Sequence, residues 1–322
     1  GLGSVAGFEG LAAESETYFS FTSFARPAAL YRLEVASGTV TPFREPRLSF
    51  DPASFETEQV FLASKDGTRL PMFLSHKKGI VPSPCTPTYL YGYGGFDISI
   101  TPWFSPSHLA WMQLGGVLAV ATLRGGGEYG EKWHTAGTKV HKQNVFDDFA
   151  AAARWLIANG KTSPGKLAIG GRSNGGLLVG ASITQHPELF GAAVAGVGVM
   201  DMLRYHHFTI GWAWASDYGT SDNPEEFAAL LAYSPLHNVS PSVRYPATLL
   251  TTGDHDDRVV PAHSYKLAAT LQAAQAGTQP ILIRIDTKAG HGAGKPTEKL
   301  IDEAADMWTF VLAALGEETR AP

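Results

Sequence analysis

The sequence predicts a doubly wound α/β fold, in which a mainly parallel sheet carries helices on both faces and a short antiparallel β segment precedes it. Three observations carry this expectation. After Pro87, short apolar runs alternate with stretches of helical periodicity. Those runs are apolar throughout rather than at every second residue, as strands buried on both faces require. Before Pro87 the sequence instead reads as β meanders broken by turn residues.

In chain order, strands are expected over 17–22, 29–35, 59–63 and 70–74, the last two separated by Lys65-Asp66-Gly67-Thr68. The apolar strands follow at 88–91, 116–121, 167–170, 192–195, 247–251 and 281–285. Helical patterns fill the gaps, notably 144–158, 175–185, 261–276 and 296–315. No internal repeat and no low-complexity tract interrupts this order.

With 322 residues, 44% of them hydrophobic, the chain can close a large core. A formal net charge of −5 offers no electrostatic footprint for nucleic acid, and no apolar run is long enough to span a bilayer. The single cysteine, Cys85, cannot form an internal disulfide and reads as a loop or strand-edge thiol. No histidine or cysteine pair has metal-ligand spacing and no Gly-x-x-x-x-Gly-Lys-Ser/Thr phosphate loop is present, so neither metal nor organic cofactor is expected. The first residues carry neither a basic stretch nor a hydrophobic signal segment, which leaves the compartment without a signature.

The strand at 167–170 runs into Gly171-Arg172-Ser173-Asn174-Gly175 and leaves as a helix, the context of a nucleophile elbow. Glycines at 171 and 175 let strand and helix pass closely around a serine held in strained geometry. An ordinary strand-to-helix turn is the plain alternative. On an α/β-hydrolase fold the acid and base follow the nucleophile, each on the loop after a later strand. His291, flanked by small residues in Ala289-Gly290-His291-Gly292-Ala293, is the natural base. Asp254, Asp256 and Asp257 share the preceding loop, and spacing gives Asp256 only a modest lead over two carboxylates better suited to structure or to capping the next helix.

Gly125-Gly126-Gly127-Glu128-Tyr129-Gly130 fits the spacing of a dinucleotide-binding loop, with Asp147 about twenty residues on. That reading fails on context. Asp147 and Asp148 fall at the opening of a helix, where acids complement the helix dipole, whereas a ribose-binding acid closes a second strand.

Taken with the elbow, four strings are distinctive: 91–96 (YGYGGF), 124–130 (RGGGEYG), 254–261 (DHDDRVVP) and 288–295 (KAGHGAGK). Together they closely resemble the catalytic part of the prolyl oligopeptidases, serine peptidases that cleave after proline, and the likeness runs from about Thr17 to the final helix. The resemblance implies Ser173 as nucleophile, His291 as base and Asp256 as orienting acid. It implies an oxyanion hole from the Tyr93 hydroxyl and the Asn174 backbone N–H. It also implies a proline pocket of Phe96, Val199, Trp214, Tyr218 and Val259, with Trp214 as stacking platform and Arg258 binding the carbonyl before proline. Such a flat apolar wall suits a compact ring whose nitrogen bears no hydrogen.

The expected activity is therefore hydrolysis of short peptides on the carboxyl side of internal proline through an acyl-enzyme, rising with pH as His291 becomes neutral. Two alternatives remain: a relative cutting after Arg or Lys, to which Arg172 is a point of likeness, and a module that binds proline peptides without turnover. Residues 1–50 are expected to be the remnant of a last β-propeller blade with its linker, and 51–322 the catalytic domain. The rest of the propeller would pack on the catalytic face, gating access. Without it the piece should self-associate and select poorly by peptide length. The resemblance implies a cytoplasmic protein, with the periplasm left open.

Overall fold

The structure is a computed structural model that describes residues 1–292 and 294–317. Its first sheet is a four-stranded antiparallel meander of β1 (Ser4–Glu9), β2 (Glu16–Ser23), β3 (Arg26–Glu34) and β4 (Thr39–Arg44), in that spatial order. β1 and β4 are almost wholly exposed. The turn between β2 and β3 is different: Phe24 is completely buried, packing at 5.7 Å from the rings of both Phe73 and Trp103 in the core of the second sheet.

The second sheet has eight strands, numbered in chain order β5 (Phe55–Ala63), β6 (Arg69–Lys77), β7 (Thr88–Tyr91), β8 (Val117–Ala121), β9 (Leu167–Arg172), β10 (Ala192–Gly196), β11 (Ala247–Gly253) and β12 (Ile281–Asp286). Their spatial order is β12-β11-β10-β9-β7-β8-β6-β5, parallel from β12 to β8 and antiparallel through β6 and β5. The helices are α1 (Pro106–Gln113), α2 (Glu131–Thr135), α3 (Gln143–Ala158), α4 (Asn174–Gln185), α5 (Ala215–Tyr218), α6 (Pro224–Tyr233), α7 (Ala262–Ala274) and α8 (Thr297–Ala314).

Burial on both sheet faces is visible residue by residue. Along β8, Ala119 and Ala121 enter a core shared with α3, α4 and α7, while Leu118 and Val120 enter one shared with α1 and α8. β10 alternates in the same way, with Ala193 and Ala195 on one side and Ala192 and Val194 on the other. The expectation of full burial fails for β12. As the edge strand it has one neighbour, and Leu282 and Ile285 are 47% and 45% exposed.

The reading of Asp147 and Asp148 also needs correction. α3 begins at Gln143 with no acid in its first turn, so neither residue serves the helix dipole. Asp148 is instead fully buried and receives Arg124 Nε at 2.9 Å, Arg124 Nη2 at 2.5 Å and the Ser64 hydroxyl at 2.5 Å. Among the described residues no helix is long and apolar enough to cross a membrane.

Candidate active site

Ser173 lies between β9 and α4 with φ 59° and ψ −117°, a left-handed conformation that costs a non-glycine residue about 1–3 kcal/mol. Its backbone N–H donates to Gly196 O at 2.9 Å, which holds the turn against β10. A Cβ on residue 171 would come within 2.6 Å of the Gly175 carbonyl carbon, and one on residue 175 within 2.8 Å of Gly92 O. The two glycines the sequence singled out are thus sterically required. Asn174 is the first residue of α4, so its N–H is one of the groups a helix leaves without an internal acceptor.

The loops after β11 and β12 are laced together. His255 N–H donates to Ala289 O at 3.0 Å and Asp254 N–H to Asp286 O at 3.1 Å. The three loop aspartates separate by their partners. Asp254 Oδ1 accepts from His255 Nδ1 at 2.6 Å and from the Ala289 N–H at 3.3 Å, so it ties loop to loop. Asp257 is exposed. Asp256 is buried: its Oδ1 accepts the N–H groups of Arg258 at 3.0 Å and Val259 at 2.9 Å, and its Oδ2 accepts His291 Nδ1–H at 2.7 Å. None of the three caps α7, which has no side-chain cap.

The carboxylate therefore fixes both the tautomer and the orientation of His291, leaving Nε2 able to accept a proton. Among the described residues no hydrogen bond joins that ring to the Ser173 hydroxyl. Their loops are adjacent, since a Cβ on Gly292 would lie 3.2 Å from Arg172 Nη2. Catalytic hydrogen bonds in ligand-free sites are often long and close only around substrate. Arg172 itself donates to Glu303 Oε1 of α8 at 2.6 Å.

Tyr93 and Asn174 are brought together as well. Asn174 Nδ2 donates to Tyr93 O at 2.5 Å, and Asn174 Oδ1 accepts the Tyr218 hydroxyl at 2.9 Å. Burial, with smaller contributions from Tyr91 and Asp217, pushes the Tyr93 hydroxyl up to about 12, while nearby Arg258 opposes the shift. At neutral pH it keeps its proton and can donate to a developing oxyanion. Val199, Tyr218 and Val259 are buried in one apolar cluster against which Phe96 and Trp214 pack. The Phe96 and Tyr218 rings meet edge to face at 5.2 Å. Trp214 stacks on Tyr205 at 6.2 Å. Arg258 is exposed beside this cluster.

Asp217, its partner His134, and Lys142 hold the site and escaped the sequence reading. Asp217, buried next to Tyr218, accepts the Phe96 N–H at 2.8 Å and His134 Nε2–H at 2.7 Å. It thereby fixes Phe96, whose φ is 59°. Lys142 is buried and donates to Gly94 O at 2.8 Å, with its ammonium 5.3 Å from the centre of the Tyr218 ring. Burial pushes its ammonium down to about 8. The glycine run that mimicked a dinucleotide loop supports the same turn, because Gly125 O accepts the Asp97 N–H at 3.1 Å. The only sequence signal for Asp217 is an acid abutting a predicted pocket aromatic.

The family model described as "Prolyl oligopeptidase family" matches residues 102–318. A prolyl endopeptidase of Elizabethkingia miricola is 51% identical over 317 residues, 98% of this chain and 45% of that protein. A solved structure from a study of two prolyl endopeptidases aligns with a TM-score of 0.94 at 46% identity, over 99% of this chain and 47% of that one. Prolyl oligopeptidase B of Galerina marginata, bound to a 35mer hydrolysis and macrocyclization substrate, aligns with a TM-score of 0.93 at 42% identity, over 99% of this chain and 46% of that one. The chain thus spans less than half the length of these relatives.

Proposed function

The chain belongs to the prolyl oligopeptidase family, and from that premise we propose that it is the catalytic part of a serine peptidase that cleaves short peptides after internal proline. The observation that carries the reading is the buried Asp256 carboxylate on His291, on the two loops that follow β11 and β12, beside the strained Ser173 turn. Ser173 Oγ attacks the carbonyl of the proline residue as His291 Nε2 takes its proton. The oxyanion receives hydrogen bonds from the Tyr93 hydroxyl and the Asn174 N–H. His291 then returns the proton to the leaving amine, and water hydrolyses the acyl-enzyme.

Proline enters the pocket of Phe96, Val199, Trp214, Tyr218 and Val259, and Arg258 meets the preceding carbonyl. A cleaver after Arg or Lys needs a carboxylate facing the substrate cation. Asp217, which abuts this pocket, is already committed to Phe96 and His134. Arg172 is engaged with Glu303 and does not tilt the pocket toward basic residues. Residues 1–50 belong on this reading to a propeller-type module over the catalytic face, and the family resemblance points to the cytoplasm.

The test is labelling with an active-serine phosphonate followed by a fluorogenic substrate scan. Adduct at Ser173 with turnover of a Gly-Pro amide and not of an Arg amide is expected. No adduct at Ser173 would overturn the peptidase and leave the binding module, and turnover of the Arg amide in place of the Gly-Pro amide would favour the relative that cuts after basic residues.

A further inference from the structure

Next to Tyr205, whose ring stacks on Trp214, lies a group of side chains that the peptidase reading does not use. His206 and His207 follow Tyr205 on a single helical turn, and their donor atoms lie with one carboxylate oxygen of Asp222 all within 4.8 Å of one another. His207 and Asp222 are exposed. The His206 side chain is only 7% accessible, yet neither of its ring nitrogens has a hydrogen-bond partner among the described residues. Its Nε2 stands 3.6 Å from Asp222 Oδ2, too far for a hydrogen bond.

That separation fits a bridging cation. Zinc bonds of about 2.0–2.2 Å at a tetrahedral angle put two donors roughly 3.3–3.5 Å apart. The third donor, on exposed His207, lies within 4.8 Å of the other two and needs to close by at most about 1.5 Å, which a surface side chain can do. The backbone around the group is already fixed. The Ser221 hydroxyl donates to Leu203 O at 2.8 Å, and the Tyr205 hydroxyl donates to Gly219 O.

We propose that His206, His207 and Asp222 bind one divalent ion of the zinc type, with a fourth position open to water. The ion ties the Tyr205–His207 turn to the segment that follows Gly219, so it braces the back of the aromatic wall formed by Tyr205, Trp214 and Tyr218. No triad residue takes part, and the proposal stands independently of the peptidase reading.

The experiment is calorimetric titration of the chelator-stripped chain with Zn²⁺, repeated with Co²⁺ to read the visible absorption of a tetrahedral site. One equivalent should bind. His207→Ala and Asp222→Asn, both at exposed positions, should each weaken binding about tenfold or more, and His291→Ala should leave it unchanged. Absence of stoichiometric binding, wild-type affinity in both surface variants, or loss only in His291→Ala would each overturn the site.

Discussion

Replacing Asp256 with asparagine separates the chemistry of the site from its architecture. Asp256 Oδ1 accepts two backbone N–H groups, and the amide oxygen of asparagine can keep both. Oδ2 accepts His291 Nδ1–H at 2.7 Å, and an amide NH₂ in its place cannot. The imidazole then turns its unprotonated nitrogen toward residue 256 and presents Nε2–H to Ser173, a tautomer unable to take the serine proton. Loss of this orientation is worth about 10⁴ in kcat in a serine triad, or about 5.5 kcal/mol of barrier. Asp256→Ala should lose as much rate and, in addition, strand the N–H of buried Val259 at about 1–3 kcal/mol of stability. The assay is kcat/KM on a fluorogenic Gly-Pro amide, with thermal melts of all three proteins. An asparagine variant within tenfold of wild type would show that Asp256 does not orient the base.

Tyr93→Phe should lower kcat about 10²- to 10³-fold with little change in KM, since it removes one donor aimed at the oxyanion; an unchanged kcat would remove Tyr93 from the mechanism. Trp214→Ala should cut kcat/KM for proline substrates about 10- to 100-fold while phosphonate labelling of Ser173 proceeds at the wild-type rate, because in the proposed pocket the indole would meet the proline ring and not the triad. The stability of the chain should climb between about pH 8 and 10.5 on account of Lys142. Below that window both folded and unfolded states carry the ammonium, and within it only the unfolded state does, so the native state gains as pH rises, by about 3 kcal/mol in total. Subtracting the pH profile of Lys142→Met should isolate that slope, and a flat difference would show that the ammonium bears no burial cost.

What could be read in advance was what is local. The elbow announces itself because two glycines within five residues are needed for one backbone crossing, and the alternation of β8 and β10 between two cores follows from their unbroken apolar runs. Spacing left the choice among Asp254, Asp256 and Asp257 open and the family resemblance pointed to Asp256, because which carboxylate meets His291 depends on how the loop after β11 passes Ala289. The edge position of β12 was invisible because an apolar run looks the same with one neighbour or two. Asp217 with His134 is harder still: the partners are 83 residues apart and neither sits in a recognisable string. α6 was missed for a different reason. Its Asn223 cap and Pro224 start were in plain view, with Asn223 Oδ1 accepting the Glu225 N–H at 2.9 Å, but its apolar stripe is short.

The Phe24 ring, lodged between Phe73 and Trp103, means that residues 45–51 are not the sole tether between the two sheets. The Ser4 hydroxyl adds a second clasp, donating to Pro102 O at 2.6 Å. A backbone cut in that strap would leave two polypeptides that still travel together on a sizing column, and a Phe24→Ala change in the nicked protein would let them part.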